Sequence, residues 1–319
     1  MENLSVSLLY KLTTGRVVKK QGLVRNVVQK GNIGSSFVYA LQHYGADNYV
    51  YRAHPQSQIT YGKEIVKFTG NLAGGHSQTW EYANKATADK STYWFIGTKG
   101  KPGSGGYIWD TQIARVKIPG KANYNSNTEL TRLSHLNLAG GFGLSGADLD
   151  RSEAAVSSDY RYFLVFVLDK ENNAYFSLYY LSDINSALDL AGTTDVNIKD
   201  LPLIKSFMIS SLADKTKIGS VQGVDLDDKF NIYISSEHSP AKFSSKSEPR
   251  HIYKIPWGSS SWEDIDLSNN YSIDFGGHPT ELEGIQVIGE NHLYLTVAYH
   301  DKVGEDWKTV ANRIYEVQW

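Results

Sequence analysis

The sequence predicts an all-β protein, a five-bladed β-propeller, on three observations. A polar residue, a short strand, a turn and a more apolar strand, as in SVQGVDLDDKFNIYISSE (220–237), recur five times along 319 residues. Each recurrence leads into a third strand, and the first four into a fourth. The fifth ends without one, and the missing piece, SLLYKL (7–12), stands at the opposite end of the chain. Four-stranded antiparallel units repeated radially are propeller blades, and a terminal strand that completes the last unit leaves no open sheet edge. A β-sandwich or two stacked β domains would explain the strands but neither the fourfold unit nor the complementary ends.

The first blade, about 26–68, takes NVVQKGNIGSSFVYALQ (26–42), NYVYRA (48–53) and the weaker EIVKF (64–68). The second, 78–136, takes QTWEYANK and YWFI, then TQIARVKI (111–118) and LTRLSHL (130–136). The third, 153–209, takes EAAVSSDYRYFLVFVL, AYFSLYYL (174–181) and LIKSFMI (203–209), with LSDINSALDLAG (181–192) as an inserted short helix. The fourth, 222–275, follows the opening stretch with RHIYKI (250–255) and YSIDF (271–275). The fifth, 283–319, takes EGIQVIGENHLYLTVAY and NRIYEVQW and borrows 7–12. The uneven spacing comes from loop insertions, which a surface tolerates. The whole chain, 1–319, then reads as a single propeller domain.

Composition supports this and removes several functions. Twenty-one Tyr, 11 Phe, 7 Trp and 28 Gly suit strands and tight turns. A net charge of -2 with scattered Lys and Arg argues against nucleic acid as partner. The absence of Cys removes disulfides, thiolate metal sites and thiol nucleophiles. No stretch approaches the ~18 apolar residues of a membrane span. The N-terminus, MENLSVSLLYKLTTG, carries Glu2 before a short apolar run and no basic segment, so no signal peptide is recognisable. Nothing in the sequence fixes an oligomeric state.

The first strand of a propeller blade lines the central channel. Aligning the copies puts Asn26, Gln78, Glu153, Gln222 and Glu283 at one level. Polar residues of a wet channel would bond neighbouring backbone and water. The sharper alternative is a cation, with Ca²⁺ suited to two carboxylates and three amide oxygens. Three residues on, Gln29, Glu81, Asp225 and Gln286 recur, with Val156 as the exception. That odd offset directs them between blades or toward the lower turns. DLDDKFN (225–231) has neither the spacing nor the glycine of a calcium loop and reads as a charged hairpin turn. GKPGSGG (100–106) lacks the GK[ST] of a phosphate loop.

Strand polarity gathers histidines on one rim. His76 and His278 follow Gly-Gly pairs ahead of first strands, and His43, His238 and His300 follow second strands, with Glu237 and Glu281 nearby. They are either loop residues making local bonds or parts of a binding face over the channel mouth. Long loops there (98–109, 238–250, 300–312) carry Tyr107, Trp109, Phe243 and Trp307, aromatic platforms of the kind sugars stack on.

Several ordered stretches, VVQKGNIGSSFVYALQ, AGGHSQTWEYA, VQGVDLDDKFNIYISS, EGIQVIGENHLYLTVAYH and RIYEVQW among them, resemble the helveticin J family, class III bacteriocins of lactic acid bacteria. The similarity runs from about residue 25 to the C-terminus. It implies a secreted or surface-associated antibacterial protein, sometimes bacteriolytic; together with the aromatics, His and Lys of the rim, it makes cell-wall carbohydrate or teichoic acid the expected partner. It supplies no catalytic residues. Were the protein a glycan hydrolase, which needs two carboxylates about the scissile bond, Glu153 and Glu283 would be the candidates. A wall-associated protein that does not kill is the third reading.

Overall fold

The computed structural model describes residues 4–14, 17–18, 21–22, 26–237 and 249–319; His238 and Phe243 lie outside them. Five antiparallel sheets are arranged in a ring. Blade I is Val28–Ile33, Val38–Tyr44, Asp47–Ala53 and Val66–Phe68. Blade II is Trp80–Ala86, Thr92–Thr98, Gln112–Ile118 and Thr131–Ser134. Blade III is Leu149–Val156, Tyr162–Asp169, Ala174–Tyr180 and Leu203–Ile209. Blade IV is Val224–Leu226, Ile232–Ser236, His251–Ile255 and Glu263–Asp266. Blade V is Thr280–Gly289, His292–Val303, Asp306–Gln318 and the N-terminal Ser5–Thr14.

The two ends of the chain share blade V, as the complementary termini require. Ser5 pairs with Gln318, Leu8 with Tyr315 and Leu12 with Asn312. Asn312 also bridges to blade I: its Oδ1 accepts from the Val28 amide at 3.0 Å and its Nδ2 donates to the Asn26 carbonyl at 3.1 Å.

Each seam between neighbouring blades holds its own hydrophobic core. Trp80, Trp94 and Ile96 meet Tyr39 and Leu41 between blades I and II. Phe95 and Ile113 meet Phe163 and Val165 between II and III. Three further cores fill the III–IV, IV–V and V–I seams. A middle strand is therefore covered on both faces. Tyr162–Asp169 (YFLVFVLD) reads as an unbroken apolar run and is buried from its second residue on. The outer strand Leu203–Ile209 is mostly half-exposed.

Leu181–Ala191 forms the inserted helix, burying Leu181, Ile184 and Leu188 on one stripe and ending at Gly192, whose φ of 62° suits glycine. Two features were not anticipated. The fourth strand of blade IV is the acidic EDID (263–266); 271–275, which alternates like a strand, is a turn that inserts Ile273 under Tyr299. And the links into the fourth strands of blades I, II and III each lend a short parallel strand to the blade before. Gln58–Tyr61 lies along Ser5–Thr14, Asn123–Tyr124 along Val66–Phe68, and Asp195–Asn197 along Thr131–Ser134. These extra strands cover the outer edges of blades V, I and II.

Candidate functional site

The axis is closed by a polar knot to which all five blades contribute. Gln78 of blade II lies at its centre. Its Nε2 is within 3.2 Å of Gln29 Oε1 and Gln222 Oε1 and within 3.1 Å of Glu283 Oε2, so two N–H groups serve three acceptors. Its Oε1 accepts from Arg151 Nη2. The same guanidinium donates to the carbonyls of Val221 (2.6 Å) and Gln222 (2.8 Å) and to Glu153 Oε1 (3.3 Å). Thr79 Oγ1 donates to Glu153 Oε2. Glycines bring the strands close enough for this: a Cβ on Gly223 would meet Gly284 Cα at 2.7 Å, and one on Gly284 would meet the Gln29 carbonyl oxygen at 2.6 Å.

Gln78, Gln222, Glu283 and, through Arg151, Glu153 thus converge as the aligned copies predict. Asn26 does not join them. The register of blade I slips between Val28 and Lys30, and the extra residue of this bulge, Gln29, takes the axial place. Asn26 lies higher, on the side of the cavity described below, with its Nδ2 buried and unpartnered. The positive charge among these oxygens is the chain's own Arg151, where the sequence suggested Ca²⁺. Among the described residues no group of three His, Asp or Glu side chains is disposed to hold a metal ion.

One level down, Lys30 donates to Glu81 with both side chains buried. Burial pulls the Lys30 ammonium toward a lower pKa, but Glu81 and Asp225 outweigh it, so the pKa is raised and Lys30 stays charged. Asp225 accepts from the Val287 amide at 2.8 Å, and Gln286 exchanges two bonds with the backbone of Ile33. Asp225 and Gln286 thus tie blade IV to V and blade V to I, the inter-blade role their odd offset suggested.

Above the knot opens a cavity of about 950 Å³. Of the rim residues singled out in the sequence, His76, Trp109, Glu281, His300 and Trp307 line it, as do Tyr107 and His43. Its inner side is a stacked column. His43 stacks on His76 at 4.5 Å, His76 on Trp109 at 4.4 Å, and the Arg151 guanidinium lies 4.5 Å over Trp109. Trp109 is left 9% exposed, too little to serve as a stacking platform; Trp307 and Tyr107 keep more open surface. Burial, with His43 and Arg151 adjacent, holds the His76 imidazole well below its ordinary pKa, so the column is neutral up to Arg151. Glu283 forms part of the floor, and burial next to Glu281 pushes its carboxyl well above the usual range. His300 Nε2 stands 3.1 Å from Glu281 Oε2.

Three residues fall outside this arrangement. Glu237 is buried between blades IV and V, accepting from Thr280 Oγ1 (2.7 Å) and the Leu282 amide (2.8 Å). His278 packs beside Phe275 and Asp301, away from the cavity. Glu153 is sealed beneath the knot. The residue that sequence reasoning undervalued is Arg151. Its signal was legible: it lies two positions before Glu153 on one strand, hence on the same face.

A family model described as bacteriocin helveticin-J matches residues 1–319. Bacteriocin helveticin-J of Lactobacillus helveticus is 40% identical over 313 residues, covering 92% of this chain and 92% of that protein. Among solved structures, the catalytic domain of the Coprinopsis cinerea GH62 α-L-arabinofuranosidase aligns with a TM-score of 0.49 at 9% identity over 98% of this chain and 97% of that chain. A thermostable family-43 glycoside hydrolase aligns with a TM-score of 0.46 at 10% identity over 98% and 90%.

Proposed function

The chain belongs to the helveticin J bacteriocin family, and on that premise we propose that it is an antibacterial protein that recognises a bacterial cell-surface polymer, cell-wall carbohydrate or teichoic acid, through the loop-rich face of the propeller. It acts outside the producing cell, secreted or surface-associated. The observation that carries the reading is the cavity of about 950 Å³ on that face, where aromatic Trp307 and Tyr107 stand over a floor of Gln29, Gln222 and Glu283. Hydroxyl-rich ligands need this mixture of ring faces, acceptors and donors. Among the described residues no helix is long and apolar enough to cross a membrane.

The test is binding to purified cell walls alongside growth inhibition on plates. Trp307→Ala and Tyr107→Ala should each weaken wall binding about tenfold, the loss of one aromatic anchor, and weaken killing in parallel. Binding that survives both changes removes this face from the account. Walls bound without inhibition of any strain would instead mark a wall-associated protein that does not kill.

A second reading, a cell-wall glycan hydrolase, is favoured by one observation. Glu283 is a cavity carboxyl whose pKa burial and the neighbouring Glu281 push well above the usual range, the direction a general acid needs. On this geometry the acid pair would be Glu283 and Glu281, not Glu283 and Glu153. Release of soluble sugar from walls, abolished by Glu283→Gln, would support it; killing without released fragments counts against it.

A further inference from the structure

We propose that the cavity takes the end of a glycan chain rather than a run of residues within one. The inference rests on the cell-surface reading above and narrows it. The knot closes the cavity on its channel side. Gln78 is bonded across the axis to Gln29, Gln222, Glu283 and Arg151, and Lys30 and Glu153 lie buried beneath it. A second cavity of about 90 Å³ opens under the knot, and the two share no lining residue. A polymer cannot thread such a ring. A chain that enters end-on must stop at the floor, so the deepest position receives a terminal unit and the remainder of the chain leaves by the mouth.

The chemistry of the floor selects the class of polymer. Glu281 and Glu283 offer acceptors, while Asn26, also on the lining, carries a buried Nδ2 without a hydrogen-bond partner. A sugar hydroxyl donates and accepts at once and satisfies both kinds of group. A phosphodiester brings only acceptors and negative charge. It would meet Glu281 and Asp150 on the lining, and Arg151, the buried cation among the described lining residues, already gives Nε, Nη1 and Nη2 to Glu153, Val221, Gln222 and Gln78. Of the two lysines on the lining, Lys215 is exposed, and Lys308 is half-buried with its Nζ 3.3 Å from Asp306 Oδ2.

The experiment is a competition. Protein is bound to immobilised purified sacculi and displaced by soluble glycan cut from the same sacculi with a muramidase to a series of mean lengths. End recognition makes potency follow the number of ends. Halving the mean length should halve the mass needed for half-displacement, and poly(glycerol phosphate) at equal mass should not displace. A mass requirement that rises as the chains shorten overturns the inference in favour of internal recognition. Displacement by poly(glycerol phosphate) as effective as by glycan overturns it in favour of teichoic acid. Both outcomes leave the wider reading intact. Ser220→Trp, which fills the cavity from its lining, separates the two levels. It should abolish binding to sacculi while the circular dichroism of the fold is unchanged. If Ser220→Trp binds as wild type does, or the wild type binds no sacculi, the wider reading fails as well.

Discussion

Arg151 Nε lies 3.3 Å from Glu153 Oε1, with both side chains at most 4% exposed, at the point where the five blades meet. An ion pair this deep is poor evidence of net stability, since desolvation offsets its attraction. Removing one member is a different matter. Arg151→Ala leaves Glu153 uncompensated, strips Gln78 Oε1 and two carbonyls of a donor, and uncovers Trp109. It should cost about 3–5 kcal/mol in urea unfolding. Glu153→Gln, which keeps an acceptor for Thr79, should cost less, and adding it to Arg151→Ala should recover part of the loss. Additive losses in that cycle would show that the two groups act independently.

Close packing about the axis depends on two glycines. Gly223 and Gly284 each follow an axial side chain, and each faces the backbone or Cβ of the next blade at under 3 Å from where a methyl would stand. Backbone cannot swing aside as a long side chain can. Gly284→Ala and Gly223→Ala should therefore destabilise by about 1–3 kcal/mol each, whereas Gly146→Ala, with nothing nearer than 3.8 Å, should be close to neutral. Equal melting temperatures for the three variants would contradict the contact.

What the sequence disclosed follows from the size of each signal. The long alternating strands and the matching termini were legible because a period of two persists over many residues, and the axial residues because the copies align. The parallel edge strands were not, since two to four residues carry no period. Nor was the placement of Asn26, because a one-residue bulge is silent in sequence yet moves Gln29 onto the axis. Rim composition showed which residues gather at the mouth, but not that His76 and Arg151 would cover the ring of Trp109.

The charged turn within 225–231 holds a motif that comparison of copies could have found. Asp227 accepts from the amides of Lys229 and Asn231, from Asn231 Nδ2 and from Tyr233 Oη. Asp169 does the same with Glu171, Asn173 and Tyr175. The shared spelling is D-x-x-x-N-x-Y. In both turns the residue before the Asn has positive φ, 69° at Phe230 and 66° at Asn172. Asp227→Ala leaves a buried tyrosine hydroxyl and two amides without their acceptor and should cost about 1–3 kcal/mol or more. Added Ca²⁺ should not change the melting temperature of the wild type, because this carboxylate is already saturated by the turn. A calcium-dependent rise would reinstate a metal site.

The pH dependence of stability should carry the mark of Glu237. Burial, reinforced by Glu281 and opposed by Thr280, Arg250 and the Leu282 amide, pushes its carboxyl up to about 8, from 4.5 when exposed. Between those values the folded protein keeps a proton that the unfolded chain has released. Unfolding free energy therefore falls as pH rises, by at most ~1.4 kcal/mol per unit for one group. The contribution is complete below about 4.5, is lost on the way to 8, and changes no further above it. Glu237→Gln deletes this dependence while keeping one oxygen for Thr280 or Leu282. The buried His43 and His76, whose lowered pKa values act with opposite sign, are common to both proteins and cancel in the difference. Urea midpoints measured from pH 5 to 9 should show the variant gaining on the wild type up to about pH 8 and running parallel beyond it. A constant difference from pH 5 to 8 would mean that Glu237 is ionised in the fold throughout, and that its two hydrogen bonds outweigh its burial.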